Sequence, residues 1–192
     1  MARIRLLDTH EMEPDIRDMC TAIETQTGDS TAMRIVAHRP DILRSFAKFY
    51  WQLQTEGLLS RKLIELVRLS IAQINECQNC LAGRYQDSFD EGLTEELIAA
   101  LPMAESSPLF TDREKAAISY GQKMAADHFS VGDEDFIRLH QFFTEQELVE
   151  LCMDVAQFIG IGRMFAVLDA RNTVCAIPAS AKAAEDVRIR TH

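Results

Sequence analysis

Apolar residues recur along this chain mostly at intervals of three and four, which is the period of an amphipathic α-helix. No stretch alternates apolar and polar residues for long enough to predict a good strand. Several helical segments begin at proline or at a Ser/Thr cap, and others end at glycine. The predicted helices span approximately residues 14–28, 30–37, 40–57, 60–74, 77–92, 94–102, 112–127, 132–142 and 148–168. We therefore expect an all-α fold, a bundle of about eight to nine helices.

The fourth of these helices is apolar on nearly every side. Ser60 stands at its N-cap position, and the apolar residues of segment 63–74 surround the helix axis, which predicts a central, mostly buried helix. Glu65 lies inside this apolar belt, where an ionised carboxylate needs a cation or hydrogen-bond donors. We expect Glu65 to face Arg84 or another cation, or to exchange protons. The alternative is that Glu65 faces solvent on a wet edge that includes Arg68.

The sequence Cys77-Gln78-Asn79-Cys80 follows this helix. Two cysteines three positions apart at a helix start lie one turn from each other, where backbone N–H groups favour a thiolate. The spacing fits a redox dithiol. Two packing thiols are one alternative, and a structural zinc site shared across subunits is another, since the chain has no second Cys-x-x-Cys or paired histidines. The remaining cysteines, Cys20, Cys152 and Cys175, are expected to be thiols.

The distance between Glu65 and Cys77 predicts a turn. An unbroken helix would separate the two residues by about 18 Å at about 1.5 Å per residue, which is too far for proton transfer. Chemistry that uses both residues therefore requires the chain to turn near Asn75-Glu76 and fold back. Beyond the turn we expect one helix to continue to Gly92.

Composition limits the number of domains and the kinds of partner that this chain can have. The chain has 192 residues, 47% of them apolar, which is enough for one sizeable core. We expect one domain over residues 1–175 and a C-terminal tail over 176–192. A net charge of −10 and a pI near 5.0 argue against nucleic-acid and anionic-membrane partners. The start lacks the apolar stretch of a signal peptide and no long uncharged run follows, so we expect a cytoplasmic protein.

The motif and its surroundings resemble a known family. A Glu twelve positions before the first cysteine, an apolar helix closing in Ile-Asn, and then Cys-x-x-Cys-Leu are similar to the AhpD-like alkylhydroperoxidase branch of the carboxymuconolactone decarboxylase family. The resemblance covers roughly residues 40 to 170 and implies an AhpD-like helical bundle.

The resemblance also implies roles for individual residues. Cys80 corresponds to the thiol that meets peroxide, Cys77 to its resolving partner, and Glu65 to the acid/base end of a proton relay. The family's peroxidases have a histidine between the cysteines and another four residues after the second, where this chain has Asn79 and Arg84. Arg84 would then hold Cys80 as a thiolate, and we expect Glu65 and Arg84 to approach one another.

The function that these observations favour is thiol-dependent reduction of hydroperoxides, or disulfide exchange, with a dithiol or protein electron donor and no cofactor or metal. A lactone decarboxylase-like lyase is one alternative, and a non-enzymatic oligomeric redox sensor is another. His128 and His140 are candidates to replace the missing imidazoles, although their polar neighbours favour surface positions. We also expect a homo-oligomer, because the family assembles through its helices and because many large rings must be covered, namely Phe46, Phe49, Tyr50, Phe142, Phe143 and Phe158.

Overall fold

The computed structural model describes residues 2–170, apart from the side chains of residues 26, 27, 78 and 79. Ten α-helices follow one another within this part of the chain, together with three short 3-10 helices. The helices are α1 (Pro14–Thr27), α2 (Thr31–Val36), α3 (Pro40–Thr55), α4 (Arg61–Ile74), α5 (Gln78–Ala82), α6 (Gln86–Asp90), α7 (Glu95–Ala100), α8 (Asp112–Ala126), α9 (Asp133–Leu139) and α10 (Glu145–Val167). The predicted all-α class is confirmed.

Helix α4 is the centre of the bundle, as its apolar pattern predicts. Every residue from Leu63 to Ala72 is buried, and the helix packs against α8 and α10. Ser60 caps its start by accepting a hydrogen bond from the Leu63 N–H. Helix α8 approaches closely at Gly121, where an added Cβ would lie 3.0 Å from Val67 Cγ1. Glycine at this position lets the two helices approach this closely.

Helices α1 to α3 have a small core of their own. Met12, Ile16, Cys20, Ala37 and Leu43 form a buried cluster separate from the main one. At the C-terminal half of α3, contact with the main bundle includes hydrogen bonds from polar side chains. The N-terminal helices are therefore held to the main bundle partly by directional interactions.

Two expectations, one about a helix and one about the aromatic rings, need correction. The single helix predicted for residues 77–92 is two short helices, α5 and α6, separated by Gly83-Arg84-Tyr85. This extra break accounts for ten helices where eight to nine were predicted. Of the rings expected to need covering, Phe143 is buried in the core, and Phe142 and Phe158 pack against that core.

Three further findings concern the described residues alone. Residues 2–170 contain no β-strand. None of their helices has the length and apolar character needed to cross a bilayer. Cys175 and the predicted tail at 176–192 lie outside the described residues.

Candidate functional site

The chain turns after α4 through a Schellman motif, which is a pair of hydrogen bonds that closes a helix end. The Cys77 N–H donates to the Ala72 carbonyl (3.1 Å) and the Glu76 N–H to the Gln73 carbonyl (3.3 Å). Glu76 has a φ of +51°, the left-handed conformation that this motif requires and that usually falls to glycine. The predicted turn at Asn75-Glu76 is confirmed, and it brings Cys77 to the start of α5.

Cys77 and Cys80 are joined by a disulfide, with their Cα atoms 5.2 Å apart. Cys77 stands directly before α5 and is 6% exposed, whereas Cys80 is partly exposed. The Cys80 N–H donates to Cys77 Sγ at 3.4 Å, so a backbone donor faces the buried sulfur, as expected near a helix start. Cys20 and Cys152 are thiols, as predicted.

Glu65 and Arg68 form a buried ion pair beside this segment. Arg68 Nε and Nη2 donate to the two carboxylate oxygens of Glu65, each at 2.6 Å. The two side chains are 1% and 8% exposed, so Arg68 does not mark a wet edge. Burial alone would lower the pKa of the Arg68 guanidinium, but the charge and hydrogen bonds of Glu65 outweigh that effect and raise it. The pair is therefore a fixed charge pair inside the bundle.

The same guanidinium also binds the backbone around the second cysteine. Arg68 Nη1 donates to the carbonyl of Cys80, and Nη2 donates to the carbonyl of Gly83 (3.0 Å). Helix α5 has only five residues, so these contacts fix its end against α4. Arg68 thus joins Glu65 to the disulfide segment.

The expectation that Glu65 and Arg84 approach one another is wrong. Arg84 Nε and Nη2 bind the carboxylate of Glu95 at 2.8 and 3.3 Å, and Nη1 donates to the carbonyls of Leu81 and Gly83. The reason is the break after Ala82, because a residue four positions along shares a helical face only while the helix continues. Glu65 instead takes its cation from Arg68, three positions away on the same helix.

Two tyrosines meet beside Arg68. The hydroxyls of Tyr50, on α3, and Tyr85, between α5 and α6, are 3.3 Å apart. The guanidinium carbons of Arg61 and Arg68 lie 5.7 and 5.4 Å from the centre of the Tyr85 ring. Burial, and then the nearby Tyr85 phenol, raise the pKa of Tyr50 well above its usual value. We call Glu65, Arg61, Arg68, Tyr50 and Tyr85 together the polar cluster.

A second buried carboxylate, Asp154 on α10, continues the polar cluster. Its Oδ1 accepts from Gln157 Nε2 (2.9 Å) and Gln54 Nε2 (3.2 Å), while Oδ2 has no hydrogen-bond partner within residues 2–170. Arg61 does not pair with Asp154: it donates to Gln54 Oε1, and its Nε binds Asp87 Oδ2 at 2.9 Å. Burial, despite the hydrogen bond from Gln157, raises the pKa of Asp154 to about 7. Sequence analysis missed this residue, which sits in the apolar stretch 148–168 as Glu65 does in α4.

The two histidines proposed as substitutes lie on the surface. His128 is exposed and stacks on Phe129, with ring centres 4.0 Å apart. His140 is exposed, and its Nδ1 is 3.6 Å from the carboxylate of Glu145. Within residues 2–170, no group of three or more His, Cys, Asp or Glu side chains is arranged to hold a metal ion. The chemistry-bearing groups that the structure brings together are thus the disulfide, the Glu65–Arg68 pair and the two tyrosines.

The resemblance predicted from the motif is confirmed by comparison with known proteins. Residues 40–123 match the model of the carboxymuconolactone decarboxylase family. A curated Bacillus subtilis (strain 168) protein, the uncharacterized YdfG, is 24% identical over 103 residues, which are 53% of this chain and 70% of that protein.

Solved structures of similar fold cover nearly the whole chain. A peroxidase-related protein from Ralstonia eutropha JMP134, described as an alkylhydroperoxidase AhpD core, has a TM-score of 0.73 at 20% identity, over 90% of this chain and 92% of its own. The debrominase Bmp8 has a TM-score of 0.72 at 15% identity, over 94% and 95% of the two chains. At these identities the likeness establishes the AhpD-like fold.

Proposed function

We propose that this protein is a thiol-dependent oxidoreductase that reduces hydroperoxides through Cys80, with Cys77 as the resolving thiol. The observation that carries the proposal is the Cys77–Cys80 disulfide at the start of α5, with Cys80 partly exposed and Cys77 buried. The exposed position suits the sulfur that meets the oxidant, and the buried position suits the one that resolves it. The peroxidase-related neighbour of the same fold supports this class of chemistry.

The reaction balances as two steps. The Cys80 thiolate attacks one oxygen of the hydroperoxide, so that an S–O bond forms, the O–O bond breaks and an alcohol leaves after taking one proton. Cys77 then attacks the sulfenic acid, and the disulfide forms as water leaves. A dithiol or protein electron donor reduces the disulfide by attacking the sulfur of the partly exposed Cys80, with Cys77 leaving as a thiolate that the Cys80 N–H stabilises.

Arg68 fits the role of a positioning residue in this scheme. It fixes the Cys80 and Gly83 carbonyls, and its own orientation is fixed by Glu65. The acid/base role that the family resemblance gives to Glu65 stays a prediction, since both of its oxygens accept from Arg68. Arg84 stays a candidate for tuning the Cys80 thiol, although Glu95 neutralises part of its charge.

A titration of free thiols tests the proposal. Reduced protein is mixed with less than one equivalent of tert-butyl hydroperoxide, and two thiols should be lost per peroxide consumed, with a Cys77–Cys80 link on mass mapping. Cys80→Ser and Cys77→Ser should each abolish turnover with a dithiol donor, while Cys152→Ser, a matched change at a thiol on α10, should not. Unchanged thiols after excess peroxide would contradict the proposal.

The same experiment separates the alternatives. A redox sensor would form the disulfide once but would not consume peroxide continuously with a dithiol donor. A lyase would act on a lactone substrate equally well after both cysteines are replaced by serine. A debrominase of similar fold was solved in complex with 2,3,4-tribromopyrrole, so this compound can be offered to the reduced protein in place of the hydroperoxide as a further test.

Self-association is part of the proposal. Phe46 and Phe49 on α3 remain partly exposed in the isolated chain, and partly exposed rings grouped on one helix are typical of an interface. Light scattering at micromolar concentration should give a mass larger than 21.7 kDa. A monomer under those conditions would remove this part of the proposal.

A further inference from the structure

The side chain of Asn75, two positions before Cys77, is held by helix α10. Asn75 is the C-cap residue of α4. Its Oδ1 accepts a hydrogen bond from Arg163 Nε at 3.1 Å, across 88 positions of the chain. The same arginine donates through Nη2 to the carbonyl of Ala125, near the end of α8. Arg163 therefore joins α10 to the ends of α4 and α8, at the turn that leads to the disulfide.

The residue before this arginine, Gly162, lies against the nitrogen of the same amide. A Cβ added at Gly162 would lie 3.1 Å from Asn75 Nδ2, which is closer than real Cβ atoms usually come to another atom. Gly160, two positions earlier, has nothing within 4 Å of the corresponding point. Of these two glycines, Gly162 is therefore the one that leaves room for the Asn75 amide.

The Asn75 amide depends on Arg163 for its orientation. An arginine carries only donors, so the atom of Asn75 that faces it is the oxygen. This orientation directs Nδ2 into the protein, where it is buried and has no hydrogen-bond partner within residues 2–170. An unpaired buried donor costs free energy. We therefore expect the amide to turn away from this position when Arg163 no longer holds its oxygen.

The backbone after Asn75 also needs support from its surroundings. Glu76 has a φ of +51°, a left-handed conformation that residues other than glycine seldom adopt. Such a residue persists where the surrounding structure holds it in place. The hydrogen bond from the Cys77 N–H to the Ala72 carbonyl closes the turn from within. The contacts of Asn75 with α10 hold the same turn from outside.

The two cysteines are thus held from different sides. Arg68 donates to the Cys80 carbonyl, whereas the turn after α4 fixes Cys77. When both sides are fixed, the two thiols of the reduced protein stay close together. Closing the disulfide then costs less conformational freedom, which favours the disulfide over the dithiol. A loosened turn should therefore make the disulfide easier to reduce.

We propose that Arg163 and Gly162 are positioning residues that stabilise the Cys77–Cys80 disulfide relative to the dithiol by holding the Asn75 side chain. The inference rests on the proposed function, in which this pair cycles between the two forms. In the reduction, a dithiol gives two electrons and two protons to the protein. The protein S–S bond breaks, two thiols form, and the donor closes a disulfide of its own. Both positioning residues act through Asn75 and not on the sulfur atoms.

The reduction potential of the cysteine pair tests this role. Protein is equilibrated at pH 7 in buffers of reduced and oxidised dithiothreitol, quenched with acid and labelled, and the thiols of Cys77 and Cys80 are counted by mass. The variants are Arg163→Gln, Gly162→Ala, Asn75→Ala and the double variant Asn75→Ala/Arg163→Gln. Melting temperatures show separately how far each substitution affects the fold.

Two matched controls separate redox positioning from general stability. Gly160→Ala adds the same methyl group to the same helix, but in open space. Arg113→Gln removes an arginine that also donates to a backbone carbonyl and to a side-chain oxygen, those of Phe142 and Glu147. These contacts lie at the starts of α8 and α10 and not at the turn before the disulfide. Both controls should keep the wild-type potential even where the melting temperature falls.

The expected result is a disulfide that is easier to reduce. Arg163→Gln and Gly162→Ala should each raise the equilibrium constant for reduction by about three- to tenfold, a range set by the net value of one hydrogen bond. A tenfold change makes the potential about 30 mV less negative. The double variant should match Asn75→Ala alone, because Arg163 acts through that amide.

Three outcomes would overturn this inference. They are an unchanged or more negative potential in Arg163→Gln and Gly162→Ala, an equal shift in the two controls, and a double variant that shifts further than Asn75→Ala. Failure of the proposed function is distinct from all three. It would appear as reduced wild-type protein that tert-butyl hydroperoxide does not oxidise, whatever the potentials of the variants.

Discussion

Glu65 and Asp154 are two buried carboxylates on the packed helices α4 and α10, and their surroundings differ. Glu65 is 1% exposed and faces the guanidinium of Arg68 with both oxygens. Asp154 is fully buried and has only amide donors, Gln54 and Gln157, on one oxygen. The first carboxylate is accommodated by a matching charge. The second is accommodated by holding a proton, as its pKa of about 7 indicates.

This difference follows from the cost of burying charge. An ionised carboxylate loses several kcal/mol of hydration inside a protein, and a bidentate arginine can compensate for that loss. Neutral amides compensate less, because each donates a hydrogen bond without a net charge. Glu150, one turn before Asp154, adds like charge that disfavours a second anion there. The two carboxylates therefore predict different responses to mutation, and Asp154 also predicts a response to pH.

The largest expected effect comes from removing the cation of the paired carboxylate. Arg68→Met should lower the free energy of unfolding at pH 7 by about 3–5 kcal/mol, because it leaves Glu65 buried and unpaired. Urea denaturation of the disulfide-bonded protein measures this. The double variant Glu65→Leu/Arg68→Met should recover much of the loss, since both charges are then gone. A double variant no more stable than the single one would show that Arg68 stabilises the fold chiefly through the Cys80 and Gly83 carbonyls.

The next effect concerns Asp154 and depends on pH. Folding raises its pKa from 3.8 to about 7, so its stabilising proton is present at low pH and is lost as pH rises. Relative to Asp154→Asn, the wild-type free energy of unfolding should fall by about 1.4 kcal/mol per pH unit between roughly pH 4 and pH 7. The asparagine variant should be the more stable protein at pH 8. Denaturation curves at pH 4, 6 and 8 measure the difference, and one that stays constant across them would refute the protonated state of Asp154.

Sequence reasoning located the paired carboxylate and missed the protonated one. The apolar belt of α4 marked Glu65 as buried, because a helix that is apolar all round is predicted from its own residues. The choice of partner was wrong, because Arg84 was placed on the face of a helix that in fact ends at Ala82. The i,i+3 spacing of Glu65 and Arg68 was available as a signal. Asp154 could have been flagged by the same apolar context, but its partner Gln54 lies 100 positions away and depends on tertiary packing.

The turn before Cys77 was predicted from the chemistry that it would allow and not from the conformational preferences of its residues. Chemistry between Glu65 and Cys77 required the chain to fold back, and the structure has the turn at the expected position. Its geometry was not predictable from composition, since Glu76 occupies a left-handed position that usually carries glycine. Hydrogen bonds within the turn, together with the packing of α5 against α4, outweigh that local preference.

A smaller effect is expected when one of the two amide donors to Asp154 is removed. Gln157→Leu removes one of the two donors to Asp154 and should lower the free energy of unfolding at pH 5 by about 1 kcal/mol, the net contribution of one hydrogen bond. The loss should grow at pH 8, because the ionised carboxylate then has one donor fewer. Gln86→Leu is the matched control, since Gln86 donates to Asp90 at 2.9 Å on the exposed surface. Equal losses for the two variants at both pH values would show that the hydrogen bond of Gln157 has no special value at a buried acid.

The smallest expected effect tests a third carboxylate, Glu95, whose ion pair with Arg84 is largely exposed. The Glu95 side chain is 65% exposed, so Glu95→Gln should cost less than about 1 kcal/mol, and added salt should reduce even that. The hydrogen bond from Arg84 lowers the pKa of Glu95 only while the pair is intact. Thermal unfolding with and without added salt measures the difference. A loss as large as that of Arg68→Met would mean that exposure does not separate the two pairs.

The same substitution shows whether Arg84 acts on the dithiol. Replacing Glu95 leaves the Arg84 guanidinium without its counter-charge, so a guanidinium that senses Cys80 should hold the reduced thiol more strongly as a thiolate. Alkylation of reduced protein against pH should then shift to lower pH in Glu95→Gln and to higher pH in Arg84→Gln. Superimposable curves for both variants and the wild type would leave Arg84 as a link between α5 and α7, because its remaining contacts are the carbonyls of Leu81 and Gly83. Of the two arginines, Arg68 would then be the one that acts on the disulfide segment.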